Sequence, residues 1–267
     1  MRKKFSESGP ATWLFLHGFL GNGSDWGRVL AAWPRGLSRP ARVLAPDLPG
    51  HGITPLDAAP ALSYAGWGAW LDAYLDAVQV RGPLVVVGYS LGGRVALAWA
   101  ARRPERVRAL VLVAAHPGLI DPAQRARRAA LDDRRAHAIR TQGLAAFLRA
   151  WYDQPLFALR QRPRARAALV AARARQDPAA MAAVVAGLSP GRQPPLWDAL
   201  ARLAPRVFYV AGRRDAKYTA LARRLSRFHP PLMRIAIVEK AGHILPYDAP
   251  RTLARLLADL QRPSSGR

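Results

Sequence analysis

The fold is decided by one stretch, Leu84-Val85-Val86-Val87-Gly88-Tyr89-Ser90-Leu91-Gly92-Gly93-Arg94. Four apolar residues run into a Gly-x-Ser-x-Gly turn, and a helix of small residues is predicted to begin at Leu91. The glycines around Ser90 permit a turn that is too sharp for ordinary side chains. This strand–turn–helix pattern predicts that the Ser90 hydroxyl is exposed at the edge of a sheet as a nucleophile or a base-coupled group. The alternative is a tight turn with a purely structural role.

Similar apolar runs recur along the chain and predict the other strands. They lie at residues 11–16, 42–45, 107–114, 206–211 and 233–238, and helical patterns separate them. Ser24 is predicted to cap a helix that has Asp25 in its first turn. Uninterrupted apolar strands that alternate with helices are typical of a mostly parallel sheet covered on both faces, so the predicted fold class is α/β.

The pattern changes between residues 117 and 203. No strand is predicted there, and Ala- and Arg-rich helical segments are separated by Asp121-Pro122, Gln154-Pro155, Arg162-Pro163, Asp177-Pro178 and Ser189-Pro190. We interpret this segment as a helical lid that is inserted into the α/β core. The predicted organisation is therefore one core in two parts, residues 1–116 and 204–267, with the lid at 117–203.

A serine in such a turn needs a base and an acid that orients the base, and in this topology they follow in the order Ser, Asp or Glu, His. Asp215 comes just after the strand at 206–211, and His243 just after the strand at 233–238. Open parallel sheets carry functional groups at these strand ends. We therefore predict a catalytic triad in which His243 takes the Ser90 proton and Asp215 orients the imidazole. Taken alone, Asp215 fits a helix N-cap equally well, and His243 a surface loop.

Two backbone amides are predicted to form an oxyanion hole: that of Leu91, directly after the serine, and that of Phe19, in the loop after the first strand. We expect His17 and His51, in Gly-rich loops, to hold those loops by hydrogen bonds, whereas His116 is a candidate for the pocket wall. Cysteine is absent and no histidine pair has metal-ligand spacing with an acidic partner. Neither a metal nor a cofactor is therefore predicted.

The formal charge is +24, from 41 Lys and Arg against 17 Asp and Glu. Lysine occurs only at positions 3, 4, 217 and 240, so arginine supplies the other 37. The arginines are scattered among alanines, which favours a compositional bias over nucleic-acid binding, although a few could recognise an anionic small substrate. Residues 1–8 lack the apolar segment of a secretory signal, and no apolar run approaches the roughly 20 residues of a membrane span. The expected location is cytoplasmic.

With these residues the chain resembles the α/β-hydrolase superfamily along nearly its whole length. Its specific segments resemble one branch, the MenH family of 2-succinyl-6-hydroxy-2,4-cyclohexadiene-1-carboxylate synthases of menaquinone biosynthesis. These segments are Leu16-His17-Gly18-Phe19-Leu20-Gly21, Asp47-Leu48-Pro49-Gly50-His51-Gly52, Gly88-Tyr89-Ser90-Leu91-Gly92-Gly93-Arg94, His116-Pro117-Gly118-Leu119, Trp151-Tyr152-Asp153-Gln154-Pro155-Leu156-Phe157 and Gly212-Arg213-Arg214-Asp215-Ala216-Lys217-Tyr218.

The resemblance implies a lyase with an α/β-hydrolase fold: the triad abstracts a proton, and pyruvate is eliminated from 2-succinyl-5-enolpyruvyl-6-hydroxy-3-cyclohexene-1-carboxylate. The three carboxylates of this substrate call for cations. Arg94 lies one helical turn after the serine and on the same face. The family motifs also match Arg128 and Arg173 in the lid, where Arg127 and Arg175 are alternatives. Tyr89 and Trp151 would supply the walls of the pocket.

Two other functions remain open at this stage. The same triad could serve a carboxylesterase or a carbon–carbon-bond hydrolase. A more remote alternative is a polyanion-binding protein on a hydrolase scaffold, which rests on the charge alone. The sequence predicts a small anionic polycarboxylate as the partner and gives no oligomeric state.

Overall fold

A parallel sheet of six strands forms the centre of the protein, in the order β2-β1-β3-β4-β5-β6. The computed structural model describes residues 11–157, 162–228 and 233–260, so the basic residues 1–8 lie outside the described part. The strands are β1 (Thr12–Leu16), β2 (Arg42–Leu44), β3 (Leu84–Tyr89), β4 (Val107–Val113), β5 (Val207–Gly212) and β6 (Arg234–Val238).

Burial explains why these runs are strands. Every residue of β3 is buried, because β1 and β4 flank it and helices cover its faces. The predicted α/β class is confirmed, and each strand ends within two residues of its predicted limits. β4 stops at Val113 because Ala114 has a φ of +47°, which cannot continue a ladder.

Helices fill the connections between the strands. They are α1 (Gly27–Ala31), α2 (Tyr64–Ala77), α3 (Leu91–Arg102), α4 (Pro122–Gln142), α5 (Leu144–Tyr152), α6 (Pro163–Arg173), α7 (Pro178–Gly187), α8 (Trp197–Leu203), α9 (Ala216–Phe228), α10 (Leu245–Asp248) and α11 (Pro250–Asp259). Helices α2 and α3 pack on each other, whereas α1 packs on α11. Right-handed crossovers place α1 on the opposite face from α2 and α3, because the chain crosses the sheet in one direction from β1 to β2 and in the other direction after β2.

Three of the five X-Pro pairs that separate the predicted helical segments mark the start of an α-helix. Prolines occupy the first position of α4, α6 and α7. The side chains of Asp121 and Asp177 cap α4 and α7, and each accepts a hydrogen bond of 2.9 Å from the backbone amide two residues later. The predicted cap at Ser24 is wrong. Asn22 caps that turn instead, and its side chain accepts from the Ser24 amide at 3.1 Å. The turn starts earlier because Asp47 holds the Gly23 amide at 2.7 Å.

The strand order places a topological switch between β1 and β3. From β1 the chain moves to β2 on one side and then returns past β1 to β3 on the other. The loops after β1 and β3 therefore diverge and leave a crevice at the carboxyl edge of the sheet. Phe19 and Ser90, which follow β1 and β3, both line the cavity at this edge.

Five helices, α4 to α8, lie between β4 and β5, and the described residues of this segment include no strand. Helix α4 packs on α7, and α8 reaches α3 of the core. The division at 117–203 stays a prediction. Among the residues that the structure describes, no helix combines the length and the apolar character needed to cross a membrane.

Candidate active site

Ser90 lies in a sharp turn between β3 and α3. Its φ is +51°, in the left-handed region that residues with a side chain adopt only under constraint. Gly92 allows the turn, because a Cβ there would collide with the carbonyl oxygen of Leu16. The Ser90 amide is satisfied by the carbonyl of Val113, 2.9 Å away. The strained turn therefore holds the serine, partly exposed, at the carboxyl edge of the sheet.

His243 bridges Ser90 and Asp215. Its Nε2 lies 3.1 Å from Ser90 Oγ, and its Nδ1 lies 2.7 Å from Asp215 Oδ2. Asp215 is fully buried and His243 nearly so. A proton that moves from the hydroxyl to Nε2 would create an imidazolium against a buried carboxylate, which stabilises it. The structure thus brings the three predicted side chains into one hydrogen-bonded chain.

Asp215 has a second contact, with the start of α9. Its Oδ1 accepts a hydrogen bond of 3.1 Å from the Tyr218 amide, while Oδ2 faces His243. The sequence presented a helix N-cap and an imidazole partner as alternative roles for Asp215. Its carboxylate fills both roles. Because each oxygen has its own partner, rotation of the carboxylate would break both contacts.

Three aromatic rings surround the imidazole of His243. The centroids of Tyr218, Tyr89 and Phe157 lie 4.9, 5.5 and 5.7 Å from that of the imidazole. Burial raises the pKa of Tyr218 above its ordinary value, so this neighbour is a neutral phenol. The rings restrict both the orientation of the base and its access to water.

Two buried histidines hold the loop that follows β1. Nε2 of His17 accepts from the Leu48 amide at 2.9 Å, and Nε2 of His51 accepts from the Leu20 amide at 3.2 Å. The Nδ1 atoms lie 2.8 and 3.2 Å from backbone carbonyl oxygens. Burial lowers the pKa of both histidines to about 3. Both remain neutral acceptors, and the expected structural role of these histidines is confirmed.

Because these two histidines are buried in their neutral form, we expect the protein to lose stability in acid. Their pKa values are lower in the folded chain than in the unfolded chain, which takes up protons below about pH 6.5. Their contribution is therefore present above that pH and is lost as the pH falls towards 3. We expect a decrease in the free energy of unfolding of about 2 kcal/mol per histidine between pH 7 and pH 5, measured by urea denaturation.

Glutamine at position 51 tests this prediction, because its carbonyl can accept the Leu20 amide without titrating. His51→Gln should lose less stability between pH 7 and pH 5 than the wild type does. The control is His137→Gln, at an exposed position of α4. An equal loss in His51→Gln and the wild type would contradict the assignment.

An open cleft lies over Ser90, and its about 880 Å³ of empty space includes open solvent. Its lining includes nine residues that the sequence singled out: Phe19, Tyr89, Ser90, Leu91, Arg94, Arg128, Trp151, Arg173 and His243. Leu91 is the first residue of α3, so its amide has no acceptor within the helix. The oxyanion hole of Leu91 and Phe19 stays a prediction, for which this placement is suitable.

Arg94 is a buried cation with neutral partners. Its Nη1 donates to the carbonyl of Leu188 at 2.7 Å and to the hydroxyl of Tyr64. Within the described part of the chain, Nη2 and Nε make no hydrogen bond and no carboxylate pairs with the guanidinium. A buried charge is costly unless it is paired. Arg94 is therefore suited to receive an anion in the cavity.

Arg128 is paired with a buried carboxylate. Its Nε lies 2.8 Å from Asp132 Oδ2, and Asp132 also accepts from Arg135 at 2.8 Å and from Ser189 at 2.6 Å. Burial opposes ionisation of Asp132, but the guanidinium of Arg128 and these hydrogen bonds hold its pKa below the ordinary value. Arg128 reaches the cavity with much of its charge already compensated.

Arg173 is compensated in the same way. Its Nη2 lies 2.6 Å from Asp25 Oδ2 and 3.0 Å from the hydroxyl of Tyr247. That hydroxyl in turn donates to Asp25 Oδ1 at 2.6 Å. Both members of the ion pair are buried. The pair joins α6, after β4 in the chain, to the turn that follows β1.

A second contact ties the end of α6 to the core. Gln176 Nε2 donates to the carbonyls of Leu20 and Gly21 at 3.2 and 2.8 Å. Its Oε1 accepts from the Gly52 amide at 3.0 Å. One buried carboxamide therefore joins the segment after α6 to the loops after β1 and β2.

The predicted aromatic walls are present, but His116 is placed elsewhere. A Cβ on Gly18 would lie 2.6 Å from the ring of Tyr89, so the glycine permits this close approach. Trp151 packs edge-on against Phe19, with 5.5 Å between centroids. The predicted role of His116 as a wall residue is wrong, because it is not among the lining residues and its Nδ1 accepts from a backbone amide two residues on, at 3.0 Å.

Three charged residues of the cavity had no site role in the sequence analysis: Asp25, Asp132 and Lys217. Asp25 was interpreted as a helix-start acid, and nothing local indicates its partner 148 positions away. Lys217 could have been noticed from the sequence, since it is one of only four lysines in an arginine-rich chain. Among the residues described, no cluster of three or more His, Asp or Glu side chains could hold a metal ion.

Comparison with known proteins agrees with this architecture. The model of the alpha/beta hydrolase family matches residues 13–256. In structure, the chain is similar to MenH from S. aureus, with a TM-score of 0.81 and 24% identity over 95% of this chain and 94% of that one. At this identity the likeness shows the fold.

Sequence relatives narrow the family. The chain is 34% identical to the 2-succinyl-6-hydroxy-2,4-cyclohexadiene-1-carboxylate synthase of Klebsiella pneumoniae, over 93% of each protein. It is 31% identical to the protein PHYLLO of Arabidopsis thaliana over 89% of its own length, but it spans only 14% of that protein. The chain thus belongs to the alpha/beta hydrolase family and, within it, to the family of 2-succinyl-6-hydroxy-2,4-cyclohexadiene-1-carboxylate synthases.

Proposed function

We propose that this protein is a lyase of menaquinone biosynthesis. It removes a proton from 2-succinyl-5-enolpyruvyl-6-hydroxy-3-cyclohexene-1-carboxylate and eliminates pyruvate, giving 2-succinyl-6-hydroxy-2,4-cyclohexadiene-1-carboxylate. The observation that carries the proposal is the chain from Asp215 through His243 to Ser90, which opens into a cavity with cationic walls. The names of the relatives support the same substrate.

Ser90 and His243 together supply the base. As Ser90 Oγ takes the proton from the carbon next to the succinyl ketone, its own proton passes to His243 Nε2 over the 3.1 Å contact. The electrons of the broken C–H bond form a C=C bond to the next ring carbon, and the ring double bond shifts by one position towards the carbon that carries the enolpyruvyl group. The C–O bond to that group then breaks. The leaving group takes up a proton and becomes pyruvate. No acyl-enzyme is required.

The negative charge of the intermediate needs donors that are already in place. The amides of Leu91 and Phe19 would hold the enolate oxygen, just as such a hole holds a tetrahedral oxyanion in acyl transfer. The carboxylates of the substrate would bind to the cationic wall, first of all to Arg94, which has no carboxylate partner among the described residues. Trp151 and Tyr89 would enclose the ring.

Release of pyruvate tests this proposal directly. Purified protein given the enolpyruvyl precursor should produce one pyruvate per substrate, followed by coupled oxidation of NADH with lactate dehydrogenase. Absence of pyruvate from a folded preparation would refute the proposed reaction.

Hydrolysis of an ester or a carbon–carbon bond is the second candidate, because the same elbow and triad suit acyl transfer. Arg94 separates the two functions. If Arg94 binds a substrate carboxylate, Arg94→Ala should lower kcat/KM for the lyase reaction about 10²-fold, since a charge-assisted hydrogen bond and its pairing are lost.

The control for this variant is Arg223→Ala, at an exposed position of α9. It should leave kcat/KM unchanged. Turnover of short p-nitrophenyl esters that is insensitive to Arg94→Ala, without release of pyruvate, would favour the hydrolase instead.

A further inference from the structure

Lys217 occupies an unfavourable place for a cation. It is the second residue of α9, and the N-terminus of a helix carries partial positive charge. Arg94 and Arg128 lie near enough for their charges to act on the ammonium group. Repulsion by the helix N-terminus and by the two arginines makes the charge of Lys217 unfavourable for the stability of the folded protein unless an anion offsets it.

Within the described part of the chain, no carboxylate pairs directly with Lys217. Lys217 forms no ion pair or hydrogen bond there, and its side chain lies over the ring of Tyr218, 5.4 Å from the centroid. Two acids are near. Asp215 is committed to the triad imidazole and to a helix amide, and Asp132 to two arginines and a serine.

Cations of two kinds therefore line the cavity. Arg128 and Arg173 have buried carboxylate partners, which compensate their charge. Arg94 and Lys217 have none among the described residues, and they approach the cavity from α3 and α9. An anion gains most from contact with the second kind, because no carboxylate of the protein competes for it.

The choice of lysine at this position is itself unusual. Arginine supplies 37 of the 41 basic residues, and Lys217 is the one lysine of four that lines the cavity among the residues described. It is an exposed residue at the mouth of the cavity, where a compact ammonium on a flexible stem can follow an entering ligand.

We propose that Lys217 is a substrate-binding residue that, together with Arg94, holds one carboxylate of the polycarboxylate at the mouth of the cavity. The identity of the substrate rests on the proposed function. The class of ligand, a carboxylate, rests on the two cations alone.

The titration of Lys217 agrees with this role. The residue as a whole is exposed, but surrounding groups remove water from its ammonium end. This desolvation, with the charges of Arg128 and Arg94, lowers the pKa of Lys217 to about 8, against the opposing effect of Asp215 and Asp132. His116 is close enough to Lys217 for the two charges to interact, and it is neutral at this pH, because burial lowers its pKa to about 4. Binding that uses the Lys217 charge should weaken as the pH rises through about 8.

Binding of tricarballylate, a stable tricarboxylate, tests the proposal without turnover. Calorimetry should give a Kd for Lys217→Met about tenfold weaker than that of the wild type. Lys217→Arg should recover most of the affinity and, unlike the wild type, keep it between pH 7 and pH 9. Arg223→Met is the control, because it removes an exposed charge from the same helix.

Stability separates binding from a structural role. Lys217→Met should leave the Tm unchanged or raise it, since a repelled charge is removed, whereas loss of a structural contact would lower the Tm. An unchanged Kd for Lys217→Met, or no binding of tricarballylate by the wild type, would overturn the proposal even if pyruvate is released. Conversely, binding that depends on Lys217, without release of pyruvate, would refute the proposed reaction and leave the carboxylate site standing.

Discussion

Replacement of Ser90 by alanine is expected to lower kcat for pyruvate release by about 10³-fold or more. Acid–base catalysis by a positioned group contributes about 10²- to 10⁴-fold, and Ser90 is the group that would touch the departing proton. His243 would be left without its 3.1 Å contact to Oγ, too far from the substrate to replace the serine fully. Initial rates at saturating precursor measure the effect.

KM should change little in Ser90→Ala, because the cations that bind the carboxylates remain. The matched control is Ser226→Ala, which removes an exposed hydroxyl that bonds only within α9. Intact-protein mass spectrometry of the wild type during turnover should show no covalent adduct. An adduct on Ser90, or activity of the alanine variant near that of the wild type, would refute the role of Ser90 as a base.

Replacement of Asp25 by alanine is expected to lower the free energy of unfolding by about 3–5 kcal/mol, the usual effect of breaking a buried ion pair. Arg173 would keep its buried charge but lose the carboxylate at 2.6 Å, and the Tyr247 hydroxyl would lose its acceptor. Because the pair joins α6 to the turn after β1, the loss should also loosen the attachment of α6. Chemical denaturation at pH 7 measures the change.

An exposed ion pair provides the comparison for Asp25. Glu239 lies 2.7 Å from Arg213, but both side chains are exposed, so Glu239→Ala should leave the stability close to that of the wild type. Asp25→Asn, which keeps the shape of the side chain, should fall between the two. If Asp25→Ala and Glu239→Ala unfolded at the same denaturant concentration, the buried pair would stabilise the protein no more than the exposed one, and the prediction would be contradicted.

The strands and the positions of Ser90, Asp215 and His243 could be predicted because their signals are local. An apolar run followed by glycine or an acid marks a strand end, and the ends of parallel strands converge at one edge of the sheet. Their catalytic roles stay predictions. His116 shows the limit of this reasoning, since its loop also follows a strand, yet it packs on Trp197 and is not among the residues that line the cavity.

The internal pairing of the cavity cations could not be predicted. Arg173 contacts Asp25 across 148 positions, and no spacing rule connects α6 to the turn after β1. In a chain with 37 arginines, the sequence also cannot separate a compensated guanidinium from an uncompensated one. That distinction depends on tertiary contacts, and it is what sets Arg94 and Lys217 apart.

The carboxamide of Gln176 has a consequence for the evolution and engineering of this scaffold. Its hydrogen bonds go to main-chain groups of Leu20, Gly21 and Gly52. These contacts therefore depend on the backbone path of the two loops more than on the side chains that the loops carry. A segment equivalent to α4–α8, transplanted from a relative, should therefore keep these contacts where the recipient keeps the length of both loops. An insertion of one residue in either loop would move the backbone groups that Gln176 contacts. The transplanted segment would then lose these hydrogen bonds, even if the side chains of the loops were similar.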